Sequence, residues 1–232
     1  MTGRGFRDRR DAGRRLAAEL HSYAGRGDVV VLALPRGGVP VAYEVARALG
    51  APLDVFVVRK LGVPGHEEFA MGAIASGGTR VLDDHTIRSL GIPREDVERV
   101  TREERRELQR RETLYRGSRP LPDLTGKTVI VVDDGLATGA TMRAAVAALR
   151  QHAPSAVIAA APVAAPATCA AVRWTANDCV CVLKPDPFYG VGLWYEDFEQ
   201  TTDAEVQRLL DAARAPRDIG RENGSESYAA AP

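Results

Sequence analysis

The stretch Val129-Ile130-Val131-Val132-Asp133-Asp134-Gly135-Leu136-Ala137-Thr138-Gly139-Ala140-Thr141 constrains this chain more than any other. Four consecutive β-branched residues without polar interruption predict a strand buried on both faces, as in a parallel sheet covered by helices. Open α/β sheets bind ligands at the carboxyl ends of such strands. Here that end carries two carboxylates, a loop of small residues with two threonines, and an alanine-rich helix over 142–150. Gly135 and Gly139 permit a tight turn and close approach to a ligand, since neither has a Cβ. The amides from Ala137 to Thr141, including Ala140, are expected to face an anion at the helix N-terminus, where free N–H groups and the dipole favour negative charge. Thr138 and Thr141 add hydroxyl donors. Asp133 and Asp134 would repel a phosphate unless they bind something else. A vicinal diol, with two O–H groups to donate, meets that need, and magnesium would offset the charge. Phosphate and diol together describe a ribose 5-phosphate.

The stretch resembles the phosphoribosyl pyrophosphate (PRPP) motif of type I phosphoribosyltransferases: hydrophobic strand, two acids, short loop, Thr-Gly, helix. That resemblance implies that Asp133 and Asp134 hold the ribose 2- and 3-hydroxyls and that Ala137 to Thr141 cradle the 5-phosphate. It also implies Mg²⁺, bound at Asp133 and Asp134 mainly through PRPP. Ala137 stands where several members carry an Asp, and the ATGAT form resembles the adenine-type branch, so no general base is expected in this loop. A Walker phosphate loop is excluded because Gly-Lys-Ser/Thr is missing, and no G-x-G-x-x-G follows a strand.

Elsewhere the chain alternates strand and helix. Residues 6–23 read as an amphipathic packing helix to which no chemistry is assigned. A strand over 28–34 leads through Pro35-Arg36-Gly37-Gly38 into a helix over 39–49, an anion-binding corner. The resemblance makes Arg36 and Gly37 pyrophosphate contacts. A strand over 54–58 is expected to deliver Arg59 and Lys60 at its carboxyl end, two adjacent cations whose repulsion a bound anion would relieve. Residues 59–68 resemble the flexible loop of orotate-type enzymes, with glycines and a proline suited to closing over a reaction. His66, Glu67 and Glu68 are its proton carriers near neutral pH, or simply solvated charges; Glu67 is the candidate carried forward as catalytic.

A strand over 69–75 and a turn at Gly77-Gly78 precede a long helix over 93–116. Its eight arginines and seven acids, with i,i+4 pairs Glu98–Arg102, Glu107–Arg111 and Glu112–Arg116, favour a solvated face over an RNA surface. After the motif come a strand over 156–163, a short helix over 166–174 and a strand over 178–183. Residues 184–198 then hold five of the thirteen aromatics beside prolines and glycines. Their rings could stack on a planar heterocycle, and the resemblance places the acceptor-binding hood here, with Phe188, Tyr189, Val191 and Trp194 as contacts. A hydrophobic lid or dimer contact is the alternative. A closing helix capped by Thr202 or Asp203 runs to residue 213, and 217–232 has the composition of a disordered tail.

The whole composition agrees with this reading. The 232 residues fit one α/β domain with additions, and 31 basic against 31 acidic residues argue against nucleic acid or an anionic membrane as main partner. No apolar run approaches the ~20 residues of a membrane span, and no secretory signal is read at the start. Cys169, Cys179 and Cys181 lack metal-site spacing and read as reduced, mostly buried thiols of a cytoplasmic protein. The expected architecture is a doubly wound, mostly parallel α/β sheet with helices on both faces and a small C-terminal hood. Its parts are an N-terminal helix (1–27), a core (28–183, with a flexible region at 59–82), hood and closing helix (184–214) and tail (215–232). The resemblance implies transfer of 5-phosphoribosyl from PRPP to a nitrogenous heterocycle by a homodimer, with Asp133, Asp134, Arg59, Lys60 and Glu67 as catalytic groups. A regulator that senses PRPP with little or no transfer is the alternative.

Overall fold

The structure is a computed structural model and describes residues 5–215. Five parallel strands make the central sheet: β1 (Val29–Ala33), β2 (Leu53–Val55), β6 (Thr128–Val132), β7 (Ala156–Val163) and β8 (Asp178–Leu183), in the order β2-β1-β6-β7-β8. Alternate side chains leave a strand on opposite faces, and both sets are covered. Val31, Ile130, Val132 and Ile158 pack beneath α1 (Arg9–Glu19), α2 (Gly38–Leu49) and α7 (Asp203–Arg214). Leu32, Val129, Val131 and Val157 pack beneath α5 (Ala140–Arg150) and α6 (Pro166–Arg173). Two-sided burial is why residues 129–132 of β6 are all apolar, and it confirms the doubly wound sheet. Among the described residues no helix is long and apolar enough to cross a membrane.

The expected strand over 54–58 requires correction. β2 stops at Val55, and Arg59 and Lys60 do not sit at the end of a parallel strand. They lie within β3 (Val58–Val63), which pairs antiparallel with β4 (His66–Ala75), and β4 with β5 (Thr79–Leu82), as a separate three-stranded sheet. The ladder runs out on the β1 side: the Phe56 amide still donates to the Ala33 carbonyl at 2.9 Å, but the next β1 residue in that alternation is Pro35, which has no N–H to donate. On the edge away from β1, the Arg116 guanidinium donates to the Val55 carbonyl at 2.6 Å and to Asp54 at 3.3 Å, and the Val57 amide donates to the Ser76 hydroxyl at 3.0 Å. Residues 59–82 thus form a hairpin turning at Pro64-Gly65 plus a third strand.

Ser76→Ala leaves the buried Val57 amide without that acceptor and is expected to cost about 1–3 kcal/mol. Urea unfolding gives the value; a loss below about 0.5 kcal/mol would mean that another acceptor substitutes readily.

α3 (Asp84–Ser89) leads to α4 (Arg94–Arg116), which packs Val97, Leu108 and Tyr115 into the core. Glu107–Arg111 and Glu112–Arg116 form as expected, at 2.7 and 3.1 Å. Glu98 instead reaches Arg80 across to β5 at 2.9 Å, and Arg116 is 4% exposed. The helix is therefore not a uniformly solvated face: its last turn is a buried polar anchor.

α1 covers 9–19 of the helix expected over 6–23, and Phe6 instead makes a β-bridge to Tyr195. Thr202 is the cap of α7, accepting from the Glu205 amide at 3.1 Å. The tail expected at 217–232 lies outside the described residues.

Candidate functional site

The site forms where the carboxyl ends of β1 and β6 meet. The Leu34 amide donates to the Val132 carbonyl at 2.8 Å, tying the two strand ends together. This brings the Arg36-Gly37-Gly38 corner against Asp133-Asp134. A Cβ at Gly37 would run into the Asp134 carboxylate, so only glycine allows this approach.

Beyond the acids, Gly139 takes φ 70° as the N-cap of α5. The amides of Ala137, Thr138, Gly139 and Thr141 donate to no acceptor among the described residues, whereas the Ala140 amide donates to the Thr138 hydroxyl at 3.3 Å. Thr168 on α6 steadies the loop by donating to the Ala137 carbonyl at 3.1 Å. Free amides converging on the start of an 11-residue helix are what an anion requires.

The electrostatics of the acid pair are uneven. Asp133 is partly buried and accepts from the Asp134 amide at 2.9 Å; desolvation, then the neighbouring Asp134, raises its carboxyl well above the ordinary 3.8. Asp134 is also raised by desolvation, but Arg9 opposes the shift. Arg9 arrives from α1, 125 residues away in sequence. Its Nε donates to Asp134 Oδ2 at 2.8 Å, another nitrogen donates to the Glu199 carbonyl at 2.6 Å, and the guanidinium lies 4.0 Å over the Phe198 ring. Tyr195 completes the support, donating its hydroxyl to the Asp134 carbonyl at 2.6 Å.

A carboxyl raised in the folded state takes up a proton on folding. Stability therefore falls as pH climbs from the ordinary value through the raised one. Asp133→Asn removes the Asp133 share of that dependence, leaving the share of Asp134, and retains the acceptor for the Asp134 amide. Its melting midpoint at neutral pH is expected to rise by about 2–4 °C, the scale of about 1 kcal/mol in a chain of this size. An unchanged midpoint and pH slope would mean that the carboxylate ionises there without cost.

The other expected residues divide. Arg59, Lys60 and Glu67 line a cavity of about 510 Å³ whose opposite wall includes Thr141, so the hairpin faces the phosphate loop across open space. Arg59 is held by Glu104 at 2.6 Å and Arg36 by Asp203 at 3.9 Å. Of the adjacent cations Arg59 and Lys60, Arg59 thus already has a carboxylate counter-charge. Of the four aromatic or apolar hood contacts, Phe188, Val191 and Trp194 pack with Phe6, Val163 and Tyr195. Tyr189 is 81% exposed. Arg9, Tyr195 and Phe198 were not assigned to the acid pair from the sequence. No local pattern could link Arg9 to Asp134, because the contact arises only when the N-terminal segment bonds to the hood, Phe6 to Trp194 and Glu196 to Phe6, at 2.7 and 2.8 Å.

Parallel doubly wound sheet, paired acids and free-amide loop agree with the comparisons. The chain belongs to the phosphoribosyl transferase domain family, whose profile matches residues 7–193. A Mycobacterium tuberculosis protein provisionally named a phosphoribosyl transferase, known from strains H37Rv and CDC 1551, is 47% identical over 227 residues. The match covers 98% of this chain and 50% of the relative, so the chain spans about half the length of the curated relatives it matches. A crystal structure of a Thermus thermophilus protein is 44% identical with a TM-score of 0.80, covering 89% of this chain and 97% of that one.

Proposed function

We propose that the chain transfers 5-phosphoribosyl from PRPP to a nitrogenous heterocycle and releases pyrophosphate. The observation that carries this reading is the Asp133-Asp134 pair standing beside the free amides of Ala137, Thr138, Gly139 and Thr141 at one strand end. The amides and the Thr138 and Thr141 hydroxyls hold the 5-phosphate, and the two carboxylates accept from the ribose hydroxyls. As a nitrogen nucleophile displaces pyrophosphate, the ribose becomes oxocarbenium-like and the leaving group gathers negative charge. Asp133 and Asp134 offset the first; Arg36, Arg59 and Lys60 offset the second. The 59–68 hairpin excludes water, and Glu67 can hold or release a proton in the shared cavity.

The acid pair also fits Mg²⁺: it offers hard oxygen donors in a desolvated position with one arginine as counter-charge. Bound there mainly through PRPP, the ion supplies positive charge to the pyrophosphate. The acceptor enters from the hood side, where Tyr189 is free to stack on a planar ring. A cytoplasmic, homodimeric protein is consistent with this reading.

The test is pyrophosphate release from PRPP and magnesium with a panel of nucleobases and a small-molecule cell extract, using Asp133→Asn/Asp134→Asn protein as blank. Release above the blank supports the transferase, and fractionating the extract identifies the acceptor. PRPP binding without release for any acceptor overturns it in favour of a PRPP sensor.

A further inference from the structure

The three cysteines, unremarkable in their spacing, converge in the fold. Cys179 and Cys181 are two apart on β8, so the pleat turns both side chains to the same face. α6 crosses that face and sets Cys169 beside them. The sulfurs of Cys169 and Cys179 are 3.3 Å apart and those of Cys179 and Cys181 3.8 Å, and all three lie within 4.8 Å of one another. Each residue is at most 8% exposed and none is in a disulfide.

We propose that Cys169, Cys179 and Cys181 form a three-thiolate site for one copper(I) ion. The donor set is all sulfur, which selects soft cations such as Cu(I) and Zn²⁺ over hard ones. The number of donors then separates those two. Structural zinc sites are closed by four protein ligands, whereas this cluster offers three, a number that satisfies copper(I). Metal–sulfur bonds of about 2.3 Å in a trigonal plane put sulfurs about 4.0 Å apart; the Cys179–Cys181 spacing of 3.8 Å is close to that, and the Cys169–Cys179 spacing of 3.3 Å opens by about 0.7 Å on binding, a shift within reach of side-chain rotation.

Charge and access agree. Three thiolates around Cu(I) carry a net charge of −2, and the cavity of about 490 Å³ that reaches Cys169 is lined by Arg173, Lys184 and Trp174. Arg173 shares its charge with Asp178 at 2.7 Å, which leaves Lys184 as the second cation facing the cluster. That cavity is also the entry path a buried site requires. Binding forms three Cu–S bonds, releases three thiol protons to solvent and leaves copper as Cu(I), so no oxidant or reductant is consumed.

The site is tested on the full, reduced chain under anaerobic conditions, with Cu(I) supplied as its bicinchoninate complex. Expected are transfer of one equivalent of copper from the chelator, a near-ultraviolet thiolate-to-copper band, and joint protection of all three thiols from iodoacetamide, read by mass spectrometry. Cys169→Ser, Cys179→Ser and Cys181→Ser should each weaken uptake at least tenfold. Failure to take copper from the chelator overturns the proposal, as does uptake undiminished in all three variants, or Zn²⁺ protecting the thiols where Cu(I) does not. If the serine variants do not fold, the unsubstituted chain still decides: no copper transfer from the chelator and no thiolate-to-copper band rules the site out.

Discussion

If the chain is the proposed transferase, Asp134→Asn is expected to lower the rate of pyrophosphate release from PRPP by about two orders of magnitude, the scale of losing one preorganised electrostatic group. The substitution keeps side-chain size and the backbone carbonyl that receives the Tyr195 hydroxyl, and it removes the negative charge proposed to face the ribose. Arg9 makes the experiment more informative. Its guanidinium already holds Asp134 Oδ2 at 2.8 Å, with the two side chains 12% and 17% exposed, so the carboxylate is fixed before substrate arrives. With asparagine, Arg9 faces a neutral carbonyl and the corner against Gly37 loses its ion pair. The drop should therefore appear in kcat/KM, with the fold intact by circular dichroism. Unchanged turnover in a folded variant sinks the assignment of the acid pair.

Arg116→Met is expected to be the most damaging single change to stability, at about 3–5 kcal/mol, because it leaves a charge buried without its partner. Arg116 binds Asp54, the Val55 carbonyl and Glu112 together, and Asp54 is only 9% exposed. In a chain of this size that loss lowers the melting midpoint by roughly 6–20 °C. The double change Arg116→Met/Asp54→Leu should recover most of it, since replacing a buried ion pair by apolar residues is often neutral. Denaturant unfolding of both variants checks this; a single variant losing under about 1 kcal/mol would mean that water reaches Asp54 as soon as the arginine leaves.

The particular residues show where sequence reading succeeds. Val129 to Val132 read as a strand covered on both sides, because four successive β-branched residues favour extended backbone and leave no polar face for water. The acids that end it then fall at the carboxyl edge of the sheet, as the structure places them. The glycines and threonines that follow carry their conformational needs in their own chemistry, as Gly139 at φ 70° confirms. These are local properties, or periodic ones, and they need no knowledge of what lies opposite.

Partners across the fold are another matter. The ion pairs of Arg9 with Asp134, Arg36 with Asp203 and Arg59 with Glu104 join residues far apart in the chain, and the three cysteines, close in sequence, meet only because α6 packs on β8. The parallel core and the acid-amide loop are legible in the chain alone, since hydrophobic period and backbone freedom act over a few residues. Which charge meets which is settled by packing. A long arginine can reach many acids, and the choice among them follows from how the helices and the second sheet pack, which no run of neighbouring residues encodes.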